Sequence, residues 1–595
     1  MRRLLAALAG AAFLWALAVW LAGGVDLRVA GERMTSTDPI RPLATAIVLA
    51  AIYLAAARRA GLRDDAAVVA RAATPARLAL AITIASTAVA FTFNAATAGG
   101  SDSYGYVTHA DAWRTVSFAT PVPLADSAPW PRAIESFTPF GQHPSPDRRA
   151  LLPAMSPGLP MLMALFGVVG GHCAMFWVIP LTGGLLVWAT FIAGRRAHSA
   201  AAGLGAAWLI ATSPTVVSMS KSTMSDVPAA AFWVVSLACA LRPTVWSSLG
   251  AGAAASVAIL IRPNLLPLGA WIGMWIIWRE GRTSPRGWTR VLSFAAAIAP
   301  GCIAVALLNN ALRGSPLASG YGDLARLFAL QNVRVNVPRY LAWMVETQTP
   351  LWIAGMIALA VPLCALWPGD NGRRASVLFL GTAAVVCAAY VAYVPFEAWW
   401  FLRFLLPAWP AIAIGAAALV LAAGRTAGPW GARAAAAVLL AVGVYGIVMT
   451  IRLGVFPPGE GERRYATVAD LVARYTEPDS VIITLQDTGA VRYYAGRDAI
   501  RFDQLDERWL DRAVEWLEQR GRKPYFLLEE WEVTDFRRRF GPHNRLARDM
   551  SPIVAYKAHE IPGWVHLYDP RRPDAVTLVV PSIRNPARCP TPAIR

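Results

Sequence analysis

Charged side chains are scarce in this sequence. Only 15% of its 595 residues are Asp, Glu, Lys or Arg, whereas 56% are hydrophobic, and an ordinary globular domain has about 25% charged residues. A disordered chain and a typical soluble enzyme are both excluded by this balance. The mean hydropathy of +0.44 is that of a membrane protein.

Paired cysteines are also lacking. The six cysteines show no metal-ligand spacing and no redox motif, and five of them lie in apolar stretches. They are Cys173, Cys239, Cys302, Cys364, Cys387 and, alone near the C-terminus, Cys589. The sequence therefore predicts no disulfide framework and no zinc site.

The net charge of +18 does not point to nucleic acid. Residues 453–595 hold 22 basic and 21 acidic side chains, so that nearly all of the excess lies in residues 1–452, among the apolar runs. Basic residues between apolar runs are typical of a protein that crosses a membrane several times. We expect membrane lipids as neighbours and no nucleic acid partner.

Long apolar runs are abundant. A helix needs about 20 apolar residues to cross the roughly 30 Å hydrocarbon core of a bilayer. The sequence predicts 13 such spans, near residues 4–23, 40–57, 78–98, 173–193, 199–218, 227–241, 245–261, 264–278, 291–309, 350–367, 376–394, 404–423 and 434–451.

Arginines predict the orientation of these spans, because short connectors rich in Lys and Arg stay in the cytoplasm. Arginine pairs and clusters recur in alternate connectors, among them 58–63, 195–196, 279–290 and 373–374. We expect an integral protein of a bacterial inner (plasma) membrane with a cytoplasmic N-terminus. The odd number of spans then places residues 453–595 outside.

Two regions follow from this division. Residues 1–452 form a membrane module, whose outer loops are 99–172, 218–226 and 310–348. Residues 453–595 lack apolar runs of spanning length and predict a small extracytoplasmic α/β domain. Its predicted strands are 481–485, 524–528 and 575–580, and its predicted helix is 506–520. No GxGxxG motif and no Walker loop supports nucleotide binding there.

Two acidic residues are candidates for chemistry. No predicted span has an acid at its middle, whereas Asp102 and Asp226 lie at the predicted outer surface. A carboxylate at that depth can act as a general base if a substrate hydroxyl comes within hydrogen-bond reach. The alternative interpretations are a solvated loop residue for Asp102 and a helix N-cap for Asp226.

Most arginines of the membrane module lie in predicted cytoplasmic connectors, but Arg262 and Arg403 lie at the predicted outer side. Arg262 falls at a predicted outer turn, and Arg403 opens the twelfth span from outside. A guanidinium there can bind a lipid phosphate through paired donors, or it can simply extend to the interface. Aromatic residues nearby predict an interfacial belt, namely Tyr390, Tyr393, Trp399 and Trp400. Secondary candidates for the site are Tyr104, Lys221 and Glu397.

The order of these motifs resembles a known superfamily. Asp102 is followed by a proline-rich segment, a span ending in Arg195-Arg196, Ser225-Asp226-Val227-Pro228, and Ile261-Arg262-Pro263. This order is similar to the GT-C superfamily, and within it to glycosyltransferase family 39, the protein O-mannosyltransferases and lipid A aminoarabinose transferases. The resemblance covers roughly residues 78–423. It departs from that group in a single Asp102, where protein mannosyltransferases tend to show Asp-Glu, and in two preceding spans.

The resemblance implies a membrane transferase that uses a polyprenyl-phosphate-linked sugar and modifies a protein, lipid or glycan acceptor. Asp102 would be the catalytic base and invert the anomeric carbon. Asp226 would orient the acceptor or help to hold a divalent cation, Mg²⁺ or Mn²⁺, and Arg262 or Arg403 would bind the donor phosphate. No other cofactor is implied.

Two other classes of function remain open at this stage. A transporter or flippase of lipid-linked saccharides predicts ionisable residues at the middle of the membrane and two related halves, and neither is visible. A non-catalytic protein that binds envelope glycan through residues 453–595 predicts that Asp102 is dispensable.

Overall fold

The computed structural model describes most of the chain. The described residues are 2–22, 25–29, 32–36, 38–56, 64–65, 71, 73–281, 283–322, 324–361, 365–456, 459–548, 550–557, 563–581 and 589–593. They divide into two compact units, residues 1–81 and residues 82–595. Cys364, one of the cysteines discussed above, lies outside the described residues.

The first unit is built on two apolar helices, α1 (Arg2–Ala22) and α2 (Ile40–Ala56), which contact each other. Between them, β1 (Val25–Val29) and β2 (Glu32–Ser36) pair in an antiparallel hairpin. Helix α3 (Pro75–Thr92) leads into the second unit.

A long loop of mixed structure follows α3. Its elements are α4 (Ser101–Thr115), β3 (Thr120–Pro121), α5 (Pro123–Ser127), α6 (Ala133–Ser136), β4 (Gln142–Pro144), β5 (Ala150–Pro153) and α7 (Gly158–Gly170). The strands form a three-stranded sheet in the order β3-β5-β4. Pro153 and Pro157 precede α7, and Pro160 lies in its first turn, where a proline removes no hydrogen bond of the helix. We call residues 99–172 the first long loop.

The helices from residue 178 to residue 452 form the rest of the membrane region. They are α8 (Val178–Ala197), α9 (Ala200–Thr212), α10 (Pro214–Ser220), α11 (Asp226–Ala240), α12 (Val245–Ile261), α13 (Leu266–Glu280), α14 (Pro285–Arg313), α15 (Leu324–Leu327), α16 (Val333–Thr347), α17 (Pro350–Ala360), α18 (Gly369–Val391), α19 (Trp409–Thr426) and α20 (Gly431–Arg452). A 3₁₀-helical segment, Trp399–Ala408, precedes α19.

A helix lies within each of the 13 predicted runs, but the count of 13 spans is not confirmed. Within the described residues, six helices are long and apolar enough to cross a membrane, or seven if α9 and α10, bent by 64° at Ser213, form one span. Others are shorter: α2 and α12 have 17 residues each, which is about 25 Å of helix. The chain is nevertheless an integral membrane protein by its apolar helices.

The described residues of the C-terminal sheet domain, residues 459–581, form six strands in the order β11-β9-β10-β8-β6-β7. Strand β6 runs parallel to β7 and β8, and β10 is antiparallel to both β8 and β9. Its elements are α21 (Gly459–Tyr475), β6 (Ser480–Thr484), α22 (Thr488–Ala490), β7 (Asp498–Arg501), α23 (Leu510–Gln519), β8 (Lys523–Glu529), α24 (Glu530–Phe540), β9 (Val554–Lys557), β10 (Trp564–Tyr568) and β11 (Leu578–Val580). A π-helical turn, Val491–Ala495, follows α22.

The three strands and the helix predicted from the sequence correspond to β6, β8, β11 and α23. Strands β7, β9 and β10 were not predicted. Each has four or five residues.

The sheet domain and the first long loop share a hydrophobic core. One face of the sheet is covered by α23, α24 and the loop's buried Trp130 and Phe137. The ring of Trp130 lies edge-on to Trp516 of α23, with 5.2 Å between centroids. The other face is covered by α21 through Val468 and Val472. The loop is therefore held against the sheet by burial of apolar surface.

The prediction that no disulfide is present is wrong. Cys173, directly after α7, is bonded to Cys589 across 416 residues of sequence, with 5.8 Å between the two Cα atoms. The spacing of the cysteines along the sequence could not indicate this bond, because disulfide pairing depends on proximity in the folded chain. Among the described residues, Cys239, Cys302 and Cys387 are free.

Candidate active site

Helix α4 carries Asp102 in its first turn. The helix begins after Gly99-Gly100, and Gly100 is its N-cap without a capping side chain. A carboxylate in the first turn is stabilised by the helix macrodipole and by the unpaired N–H groups of that turn. Asp102 and Tyr106 are four residues apart, so that both side chains lie on one face of α4.

Asp102 and Arg403 form an ion pair that we call the open pair, because both side chains keep polar atoms without a hydrogen-bond partner among the described residues. An Nη of Arg403 donates to Oδ2 of Asp102 at 3.1 Å, joining positions 301 residues apart. The Asp102 side chain is 33% exposed and that of Arg403 11%. Among the described residues, no group donates to the other carboxylate oxygen of Asp102. Nε of Arg403 is buried without a partner, and its second Nη contacts only the sulfur of Met224 at 3.2 Å.

Asp226 and Arg262 form an ion pair that we call the closed pair, because every nitrogen of the guanidinium has a hydrogen-bond partner. Asp226 is the first residue of α11 rather than its N-cap, and Oδ1 accepts from Arg262 at 2.6 Å. The other two nitrogens of Arg262 donate to Ser225 Oγ at 3.1 Å and to the Tyr390 hydroxyl at 2.9 Å. The Asp226 side chain is only 1% exposed. All three nitrogens of this guanidinium are therefore engaged.

Tyr106, on the same face of α4 as Asp102, joins the hydrogen-bond network around Asp226 and Arg262. Its hydroxyl donates to Ser225 Oγ at 2.8 Å, and Ser225 in turn accepts from Arg262. Burial, and then the charge of Asp102, raise the pKa of Tyr106 to about 12. The phenol therefore stays protonated at neutral pH and remains a donor within this network.

An aromatic cluster surrounds the two guanidinium groups. Arg403 lies over the rings of Phe401 and Phe404, at 5.2 and 5.3 Å from their centroids, and Arg262 lies over Phe404 at 5.8 Å. Such contacts favour a cation next to an aromatic face. Tyr390 is buried and stacks on Phe404 at 5.2 Å. Its prediction as part of an interfacial belt is therefore wrong, because its hydroxyl binds Arg262 inside the protein.

The secondary candidates lie apart from these two pairs. Tyr104 is on the opposite side of α4, with its ring packed against Gly489 of the sheet domain. Glu397 is 90% exposed and lies 3.6 Å from Arg339. Lys221 is buried, and burial lowers its pKa to about 8 although the charge of Glu462 acts in the opposite direction.

Solved structures with a related fold are known. The archaeal oligosaccharyltransferase AglB from Archaeoglobus fulgidus, in complex with an inhibitory peptide and a dolichol-phosphate, is 11% identical. The alignment covers 80% of this chain and 72% of AglB with a TM-score of 0.50. The chain has the GT-C fold. This confirms the fold that the resemblance in the order of the motifs implied.

Two further GT-C structures align over a similar share of the chain. ArnT from Cupriavidus metallidurans bound to undecaprenyl phosphate is 14% identical, with 83% of this chain and 97% of ArnT covered and a TM-score of 0.49. The arabinofuranosyltransferase AftD from Mycobacteria is 14% identical, with 83% and 41% covered and a TM-score of 0.45. No family model and no curated protein matches the sequence.

The sheet domain holds the start of α4 in place. Oε2 of Glu462 accepts hydrogen bonds from the Gly100 amide at 3.3 Å and from Ser103 Oγ at 2.8 Å. The Tyr494 hydroxyl accepts from the Ala98 amide at 2.7 Å. The sequence did not predict these residues, because a glutamate 362 positions from its partner has no local signature.

The described residues do not fit a metal ion. They contain no group of three or more His, Cys, Asp or Glu side chains that could hold one. The two candidate carboxylates, Asp102 and Asp226, belong to separate pairs with arginine. We derive no step through Mg²⁺ or Mn²⁺.

Proposed function

We propose that this protein is a membrane glycosyltransferase, which moves a sugar from a polyprenyl-phosphate donor to an acceptor hydroxyl at the outer face of the membrane. The observation that carries the proposal is the open Asp102–Arg403 pair. It combines a partly free carboxylate with a buried guanidinium that has spare donors, at one point of a GT-C fold. Bound undecaprenyl phosphate in ArnT and dolichol-phosphate in AglB support the donor class.

Asp102 acts as the general base in this proposal. Its uncommitted oxygen accepts the proton of the acceptor hydroxyl while the hydroxyl oxygen attacks the anomeric carbon. The bond from that carbon to the phosphate oxygen breaks as the new bond forms on the opposite side. The configuration inverts, and polyprenyl phosphate leaves with the electron pair of the broken bond.

The two arginines then differ in role. Arg403 has a buried Nε without a partner and an Nη that touches only a thioether, so that it can donate to the leaving phosphate. Preorganised donors aimed at developing negative charge lower the barrier of such a transfer. Arg262 has no nitrogen to spare, and it holds Asp226 and Tyr390 in place. We therefore assign the donor phosphate to Arg403 rather than to Arg262.

The test is complementation of a deletion strain, with mass spectrometry of its lipids, proteins and polysaccharides. One sugar should be missing from the deletion strain and restored by the wild-type gene. Asp102→Asn should fail to restore it, since loss of a general base costs about 10²–10⁴-fold in rate. Membrane insertion and protein level should equal those of the wild type.

The matched control is Asp126→Asn, which removes an exposed carboxylate from the same loop. It should restore the sugar completely. Transfer by Asp102→Asn at more than a few per cent of the wild-type rate would remove Asp102 as the base. An unchanged glycan profile in the deletion strain would contradict the transferase assignment itself.

A further inference from the structure

A pocket of about 310 Å³ lies where the first long loop meets the sheet domain. It is separate from the two ion pairs. Its residues come from α4, from β3 to β5 and from the π-helical turn after α22, and they include Thr108, Ser117, Phe118, Gln142 and Arg492. Pockets that bind small molecules begin at about 300 Å³.

Arg492 is an unpaired cation in this pocket. Within the part of the chain that the structure describes, its guanidinium has no carboxylate partner and no hydrogen-bond acceptor. One of its Nη atoms is buried without a partner, as is Oε1 of Gln142, which lines the same pocket. A buried donor that stays unsatisfied costs about 1–3 kcal/mol, and more if the group is charged. A ligand that accepts from this guanidinium would remove that cost.

The other charge in the pocket is already compensated. Asp111 accepts from the Tyr493 hydroxyl at 2.6 Å and from Arg114 at 3.0 Å. Asp111 and Arg492 are the only ionised residues among those that line the pocket. With Asp111 balanced by Arg114, the pocket presents one net positive charge, and an anionic group is the complement.

The remaining lining suits a sugar. The rings of Tyr104 and Tyr493 meet edge to face with 6.4 Å between centroids, and Phe118 adds a third aromatic wall. Hydroxyl-bearing residues also line the pocket, namely Thr108, Thr115, Ser117 and Thr120. A lining that combines aromatic and polar groups matches the apolar faces and the hydroxyl groups of a saccharide, in the way that apolar pockets with a few placed polar groups fix a ligand.

The pocket and the open pair lie on opposite faces of one helix. Tyr104, Thr108 and Asp111 line the pocket, and they follow one another at helical spacing. Tyr104 is about 200° around the helix axis from Asp102. A helix is about 10 Å across, so a ligand that reaches from the pocket to Asp102 must be longer than one sugar ring.

We propose that this pocket binds an anionic group of a saccharide, and that Arg492 is its anchor. The further identification of that saccharide as the acceptor, held about one helix diameter from the reacting hydroxyl, rests on the proposed function. A carboxylate and a phosphate are both two-point acceptors for a guanidinium, and the experiment separates them.

The experiment measures equilibrium binding by titration calorimetry to the full-length protein in lipid nanodiscs. The probes are digalacturonic acid, galactose 6-phosphate and neutral galactobiose. Wild-type protein should bind at least one of the anionic probes about tenfold or more tightly than galactobiose, given the strength of charge-assisted hydrogen bonds. The probe that binds more tightly identifies the anion.

Arg492→Gln should remove this preference, and Arg492→Lys should retain part of it. The matched control is Arg538→Gln, which deletes an exposed charge from α24 of the same domain, and it should bind as the wild type does. Ala112→Leu, which fills the pocket from α4, should weaken binding with Arg492 still present. Thermal unfolding checks that each variant is folded.

Two results would overturn the pocket assignment. Either Arg492→Gln and Ala112→Leu both bind the anionic probes as tightly as the wild type, or neither anionic probe binds better than galactobiose. The Asp102→Asn variant separates this proposal from the transferase proposal. It should lose sugar transfer and keep wild-type binding of the probes. Transfer therefore tests the transferase proposal, and probe binding tests the pocket proposal independently.

Discussion

The two Asp–Arg pairs of this protein differ in how completely they are satisfied. In the closed pair, the three guanidinium nitrogens of Arg262 donate hydrogen bonds to Asp226, Ser225 and Tyr390, and the carboxylate of Asp226 is almost fully buried. In the open pair, one oxygen of Asp102 and one nitrogen of Arg403 have no partner among the described residues. The same two residue types therefore occur in two different environments.

In the proposed function, this difference separates a structural pair from a reactive one. A buried ion pair is tolerated only when hydrogen bonds satisfy its remaining donors and acceptors, as they do around Arg262. An unsatisfied buried donor costs free energy, and such cost is typical of sites that await a ligand. In the proposed function, groups of the substrates complete the hydrogen bonding of the open pair.

The largest expected effect is the loss of stability when the closed pair is broken. Asp226→Ala leaves the Arg262 guanidinium buried without its counter-charge, which costs about 3–5 kcal/mol of stability. Asp102→Ala should cost much less, because water reaches a third of the Asp102 side chain. Thermal unfolding of both variants in the same detergent measures the contrast. Equal losses for the two variants would show that the pairs do not differ as described.

The second prediction exchanges arginine for lysine in each pair. Lysine keeps the charge but loses the planar fork. Arg403→Lys should weaken donor-lipid binding about tenfold, whereas Arg262→Lys should lower the melting temperature and leave donor affinity close to that of the wild type. Binding is measured with polyprenyl phosphate in nanodiscs.

If both lysine variants bind polyprenyl phosphate as the wild type does, the arginines are not phosphate ligands. The contact must then be sought among the basic residues of the second and third predicted outer loops, namely Lys221, Arg313, Arg326, Arg334 and Arg339.

A smaller effect is expected from the residue that positions Asp102. Glu462→Gln keeps an acceptor for Gly100 and Ser103 but removes the negative charge at the start of α4. Charges at a helix N-terminus contribute about 0.3–1 kcal/mol, so kcat should fall about two- to fivefold with KM nearly unchanged. Asp470→Asn, an exposed site on α21, is the control. A change in KM alone would argue against a positioning role.

The last prediction, which concerns the pH dependence of stability, extends the comparison to a third carboxylate. Asp487 of the sheet domain is fully buried, and neither of its oxygens has a hydrogen-bond partner among the described residues. Burial, and then the charges of Glu529 and Glu532, raise its pKa well above the ordinary value, while Arg464 acts in the opposite direction. Burial also raises the pKa of Glu532 to about 8.

The folded domain therefore binds protons that the unfolded chain releases above about pH 4. Stability should fall as the pH rises from about 4 towards 8. Asp487→Asn removes one of these groups and should flatten the decline, with its advantage over the wild type larger at pH 8 than at pH 5. Hydrogen exchange of β6 and β8 at the two pH values measures it. An identical pH dependence in the variant would show that Asp487 is ionised in the folded protein.

Several of these features could be predicted without the structure. Apolar runs predicted the helices, because a membrane-crossing segment must be apolar along its own length. Asp102, Asp226, Arg262 and Arg403 were visible because each is a charge next to such a run. The number of spans stays a prediction, because run length alone cannot distinguish a helix that crosses a bilayer from a shorter helix packed inside the protein.

What the sequence alone determined is the class of protein and the four charged candidates, since hydropathy and charge are properties of each position and its near neighbours. Only the tertiary structure decided which acid faces which arginine, across 301 residues for Asp102 and Arg403. It also decided that Cys173 meets Cys589, that Glu462 binds the start of α4, and that Arg492 is left unpaired. Such contacts depend on how segments that are distant in the sequence pack together, and short-range sequence patterns do not predict that packing.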